Sequence, residues 1–275
     1  MTIRPLRDEG HLAARLAMLM ACACMANCAP SIVRPSLSPS KPRADALLVL
    51  PGFGYSRAGE KALRSLAAPM IQEGVDLYVP VYVSRGGLVE SRTKLQRFIR
   101  DHQLDRYDRL HVFAFIAGAW TLNPLVETQG LANLATVVYD RSPLQERAPR
   151  IAAEQLHFFT WVKYGSPVFD LARTPYPPVI APKVKVALMV ETKPTSFIKR
   201  HEKTARAYGP FRFGCEAFMQ RYDDCLFLPM NHDELYLRFA EVWPELLAFI
   251  RTGRFSSAAN RTPPADDPFA AGRRP

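Results

Sequence analysis

The chain has 275 residues, 48% of them hydrophobic, and a formal net charge of +10, which is enough apolar material for one substantial core. No second composition block and no internal repeat is present. The net charge favours encounters with anionic surfaces, but Lys and Arg are spread among carboxylates, which reads as an ordinary solvated basic surface; without a basic stripe interleaved with aromatics, nucleic acid is set aside as a partner.

At the N-terminus, Arg4, Arg7 and Arg15 precede an apolar run over residues 16–26, too short to span a bilayer as a helix. Residues 1–28 read as a secretory signal peptide. Within it, Leu19-Met20-Ala21-Cys22 resembles a bacterial lipobox with Cys22 as the lipidated residue, and Cys24 and Cys28 are further candidates. Ordinary signal-peptidase cleavage after Ala23 or Ala26 is the other reading. Both export the mature protein, to the bacterial periplasm or, as a lipoprotein, to the outer membrane. Residues 29–44 carry Pro30, Pro35, Pro39 and Pro42 with several serines, a linker composition. The single folded domain is expected over residues 45–252, with a disordered tail over 253–275, where apolar periodicity is lost.

Inside the domain, short apolar runs alternate with amphipathic stretches. Strands are predicted at 46–50, 77–83, 110–115, 134–139, 184–190 and 225–228, and helices at 57–73, 88–102, from 117, through much of 148–171, and after 232. Six or so strands, apolar on both faces and separated by helices, predict an α/β fold with a mostly parallel sheet covered on both sides. Such sheets bind ligands at the carboxyl ends of their strands. The helical stretch with Phe158, Phe159, Trp161 and Tyr164 is either a lid over a pocket or packed core, and stripes of this kind are usually core.

Three motifs fall at strand ends. Ala114-Phe115-Ile116-Ala117-Gly118 reads as a strand, a tight turn of small residues and the start of a helix. Pro51-Gly52-Phe53-Gly54 is a glycine turn whose amides, Phe53 and Gly54 among them, can donate to an oxyanion. Asn231-His232-Asp233-Glu234 combines an Asn cap and a Glu at the third helical position, a capping box that fixes His232 at the start of a helix.

In this order the three motifs resemble the α/β-hydrolase superfamily, on its lipase and esterase side, over roughly residues 46–249. The resemblance implies a nucleophile at the centre of a G-x-S-x-G elbow, where this chain has Ile116. It implies His232 as general base, with Asp140 or Glu191 as the carboxylate that orients it. It also implies oxyanion donors from the Phe53-Gly54 turn and the Ala117 amide, and a pocket floor of Ile116, Phe115 and Trp120. An alkyl group cannot attack a carbonyl, so only Ser56 or Ser142, both at strand ends, offers another nucleophile.

Cys215 and Cys225, ten residues apart in an exported protein, are expected to form a disulfide. No cofactor is expected, and no metal, since the six histidines are scattered without ligand spacing. Two functions follow. One is a catalytically silent α/β-hydrolase domain of the cell envelope that binds an apolar or acyl-bearing ligand or an envelope protein, with membrane anchoring through lipidated Cys22. The other is an active ester hydrolase with an unusual nucleophile and His232 as base.

Overall fold

The computed structural model describes residues 30–34, 45–53, 55–178 and 183–270. The signal peptide, Cys22, Gly54 and the end of the tail lie outside the described residues.

Seven strands form one sheet: β1 (Ile32–Arg34), β2 (Asp45–Leu50), β3 (Val75–Val79), β4 (Arg109–Ala114), β5 (Leu134–Arg141), β6 (Lys185–Glu191) and β7 (Asp224–Leu228). Their order is β1-β3-β2-β4-β5-β6-β7. β1 pairs antiparallel with β3, and every other pair is parallel. Side chains alternate between two cores because successive residues of a strand point to opposite faces. Leu48, Leu50, Val112 and Ala114 belong to one core, and Leu47, Val49 and Phe113 to the other.

Helices α1 (Arg57–Ser65) and α2 (Ala67–Gln72) cover the second of these faces. α3 (Leu88–Asp101) and α4 (Ile116–Gln129) cover the first. Between β5 and β6 come α5 (Ala148–Gln155), α6 (His157–Tyr164) and α7 (Pro167–Arg173); α8 (Ser196–Arg200) and α9 (Glu202–Ala207) precede β7. α10 (His232–Leu237) and α11 (Phe239–Thr252) return to the second face through Leu235, Phe239, Trp243, Leu246 and Ile250. None of the helices among the described residues is long and apolar enough to cross a membrane.

The expected covered, mostly parallel sheet is observed, with seven strands rather than six. The predicted helix over 57–73 breaks at Leu66; Pro69 just beyond has no N–H with which to continue the ladder onto Ser65. β3 begins at Val75 and stops at Val79, before Pro80. The stretch 148–171 is three helices, divided at Leu156 and at Gly165, whose φ of 74° no β-carbon-bearing residue adopts readily.

Two expectations about the flanks are corrected. The linker composition of 29–44 contains β1, where Ile32 is fully buried against β3. The tail is ordered over 253–270. Phe255 and Phe269 are buried, the Phe227 N–H donates to the Asn260 carbonyl at 2.8 Å, and Arg261 pairs with Asp224 at 3.0 Å. The disulfide between Cys215 and Cys225 is present.

Candidate active site

Register sets the site. β2 and β4 run in step from Asp45 opposite Arg109 to Leu50 opposite Ala114, so the Pro51-Gly52-Phe53 turn and Phe115 leave the sheet side by side. Asp140 near the end of β5, Glu191 at the end of β6 and His232 after β7 follow along the same edge.

His232 opens α10, held by the expected capping box. The Asn231 side chain accepts the Asp233 and Glu234 amides at 3.0 Å each, and Glu234 accepts the Asn231 N–H at 2.9 Å. The imidazole is buried and turns Nδ1 to two carboxylates at once. Its N–H donates to Glu191 Oε1 at 3.1 Å, and Asp140 Oδ2 lies 3.0 Å from the same nitrogen. The sequence leaves open which acid faces His232; the structure brings both. Asp140 and Glu191 are wholly buried beside it.

Two buried carboxylates around one imidazole cannot all carry their usual charge. Burial, and then the adjacent Asp140, push the Glu191 carboxyl well above the ordinary carboxylate range. For His232 burial acts downward, but the Glu191 and Asp140 carboxylates outweigh it and hold the imidazole well above its ordinary value. A protonated Glu191 beside an imidazolium–Asp140 pair leaves the cluster neutral. The donor atoms of Asp140, Glu191 and His232 all lie within 4.8 Å of one another, a grouping that could ligate a cation and that no sequence spacing announced.

The turn after β4 differs from the elbow the resemblance implies. Phe115 is the N-cap of α4 with φ −60° and ψ 158°, and no residue from 114 to 118 has a positive φ, so the turn is unstrained. Gly118 does what a small residue at this place must: a Cβ there would stand 2.9 Å from the Leu50 carbonyl oxygen. Ile116, Ala117 and Trp120 are buried in the core, and Trp120 Nε1 donates to the Thr174 carbonyl at 3.1 Å. The Phe115 ring stacks on Tyr236 with centroids 4.0 Å apart and meets His232 edge-on at 5.7 Å.

At the glycine turn, the Gly52 N–H donates to the Tyr236 hydroxyl at 2.6 Å, and the Tyr82 hydroxyl donates to the Pro51 carbonyl at 2.7 Å. A Cβ on Gly52 would sit 3.3 Å from Ala117 Cβ and 3.4 Å from the Tyr236 hydroxyl, so the turn lies directly on the start of α4. Phe53 packs against Tyr164 of α6, ring centroids 5.6 Å apart. Sequence reasoning did not single out Tyr236 or Tyr82. The one available signal is the position of Tyr236, one helical turn beyond His232 and so on the same face.

The two alternative serines are capping groups. Ser56 accepts the Gly59 N–H at the start of α1, and Ser142 accepts the Gln145 N–H at 3.1 Å. The Ser142 loop is further fixed by Arg141, which is buried, pairs with Glu146 at 2.6 Å and lies 3.9 Å over the Tyr176 ring. Two surface clefts, one beside Phe211 and Asp267 and one beside the disulfide and Arg254, lie elsewhere and include neither His232 nor Ile116.

No protein-family model and no curated protein matches the chain. Among solved structures, a Bacillus licheniformis lipase superposes with a TM-score of 0.48 at 12% identity, covering 80% of this chain and 99% of that one. A Pyrococcus furiosus esterase gives 0.45 at 12% identity over 84% and 92%. The juvenile hormone epoxide hydrolase of the silkworm Bombyx mori gives 0.48 at 13% over 80% and 72%. Likeness at this level carries no argument about chemistry. By its own strand order, and by the loops that carry Gly52, Phe115, Asp140, Glu191 and His232 to one edge, the chain has the α/β-hydrolase fold.

Proposed function

We propose that this is an exported α/β-hydrolase-fold protein that has lost serine-type ester hydrolysis and serves the cell envelope as a binding or accessory protein. The observation that carries this reading is the turn after β4: the residue where the nucleophile would stand is Ile116, and its backbone lacks the strained pose of a nucleophile elbow. The basic surface and the lipobox-like Leu19-Met20-Ala21-Cys22 support the envelope assignment.

Fluorophosphonate labelling of the folded protein, followed by intact mass and site mapping, tests the catalytic part. No adduct is expected. An adduct on Ser56 or Ser142 that disappears in His232→Ala would establish an active hydrolase and overturn the proposal.

A further inference from the structure

Among the described residues, α6 carries three of the eight large hydrophobic side chains that stand exposed. Phe158, Phe159 and Trp161 are 62%, 58% and 54% exposed, so the aromatic stripe expected to be core is largely turned outward. The inner face is fixed. Thr160 is buried and its hydroxyl donates to the Ala152 carbonyl at 2.9 Å, while Tyr164 packs on Phe53. The C-terminal end is held by Arg85, whose guanidinium donates to the carbonyls of Trp161, Val162 and Lys163 at 2.9–3.2 Å. These side chains are therefore presented on a rigid helix rather than on a floppy loop.

Cations stand at both ends of the patch. Arg85 and Lys163 are at the C-terminal end, with Lys163 Nζ 4.9 Å from the Tyr164 ring. At the other end Arg173 lies 6.0 Å from the Phe169 ring, which the His157 ring also meets at 4.7 Å. Aromatic side chains between cations suit the headgroup layer of a membrane, where an amphipathic ring gains at the interface and basic groups gain from acidic lipid.

We propose that this face of α6 docks on an anionic phospholipid bilayer. A second copy of the chain is the competing occupant, and two observations oppose it. A two-fold contact would set the same cationic ends against each other. The exposed aromatic area is also small: with side chains of 150–250 Å² each, it comes to roughly 350 Å², against about 800 Å² per partner in a stable interface. The assignment stands whether or not His232 performs chemistry.

Trp161 is the natural probe, because the other two tryptophans, Trp120 and Trp243, are buried. The experiment uses the full chain with Cys22, Cys24 and Cys28 changed to serine, mixed with phosphatidylglycerol or phosphatidylcholine vesicles. Emission is read with and without brominated acyl chains, and Trp161→Phe confirms the source. With phosphatidylglycerol the emission moves to shorter wavelength and bromolipid quenches it; Phe158→Ser with Phe159→Ser weakens the effect about 10-fold or more. These are exposed positions, and circular dichroism melting verifies that the variant folds. If the double variant misfolds, quenching in the unsubstituted chain still decides. Three results would overturn the proposal: unchanged Trp161 emission and no quenching, equal quenching in neutral vesicles, or a dimer in sedimentation that shields Trp161 without lipid. The readout is a buried tryptophan signal, not an adduct, so its failure leaves the catalytic reading untouched.

Discussion

The Tyr236 hydroxyl accepts the Gly52 amide at 2.6 Å across 184 residues of sequence. It thereby ties the first parallel strand to the helix that His232 opens. The bond is buried, and burial holds the Tyr236 hydroxyl well above the ordinary tyrosine range, so it stays a neutral acceptor. Tyr236→Phe keeps the ring stacked on Phe115 and leaves the Gly52 N–H without a partner. An unsatisfied buried amide costs about 1–3 kcal/mol. Urea denaturation at pH 7 should show that loss with an unchanged m-value. A variant as stable as the original would mean the bond contributes nothing and the amide is free for other use.

Ile116→Ser places a hydroxyl where the resemblance puts a nucleophile. No hydrolysis of p-nitrophenyl acetate above background is expected. The backbone at 116 is unstrained and its side chain is buried, so a serine there is not held up toward a substrate. The substitution should also lower stability by about 2–5 kcal/mol, since it removes a buried aliphatic side chain. Hydrolysis that appears in Ile116→Ser and vanishes with His232→Ala would show that only the nucleophile is missing.

The order of strands and helices is legible because β2 to β7 are apolar on both faces, a pattern that only a covered parallel sheet explains. His232 is legible through its cap and Asp140 and Glu191 through their strand ends. That both acids face one imidazole is not, because the sheet brings together β5 and β6 ends 51 residues apart. β1 escapes for a different reason: three residues between prolines offer no period, and their pairing partner lies beyond β2. Exposure of Phe158, Phe159 and Trp161 is equally hidden, since a stripe of aromatics has the same spacing whether it faces a core or a membrane.

Asp140 and Glu191 should answer differently to neutralisation. Asp140→Asn strips the imidazolium of its counter-charge in a dry site, which costs about 3–5 kcal/mol near neutral pH. Glu191→Gln replaces a group that is already neutral and costs far less. The pH dependence has a definite sign. A folded-state pKa raised above the ordinary 4.5 for Glu191 and 6.5 for His232 gives stability that is full at lower pH and declines as pH rises through each folded value. Glu191→Gln should therefore flatten the decline that begins above pH 4.5, measured as the thermal midpoint from pH 4 to 9. An unchanged decline in that variant would mean that Glu191 does not hold the proton.

Residues 254–270 close the far edge of the sheet. β7 is the edge strand, and its Phe227 N–H is capped by the Asn260 carbonyl, while Phe255 and Phe269 bury their rings against the domain. Removing the segment should cost about 3–6 kcal/mol, from two phenylalanines at 1.5–3 kcal/mol each. It also uncovers an edge that invites pairing between chains. The loss should depend on pH through Asp224. Burial would raise its carboxyl, but Arg261 and the Phe255 and Cys225 amides outweigh that and lower it below the ordinary 3.8. A depressed folded-state pKa gives stability present above 3.8 and lost as pH falls through the folded value. The truncated chain lacks Arg261 and Phe255, so the stability gap between the two chains should narrow below about pH 3.8. Sedimentation and thermal melting of the truncated chain test both effects: a monomer with an unchanged melting midpoint would mean that the segment only rests on the surface.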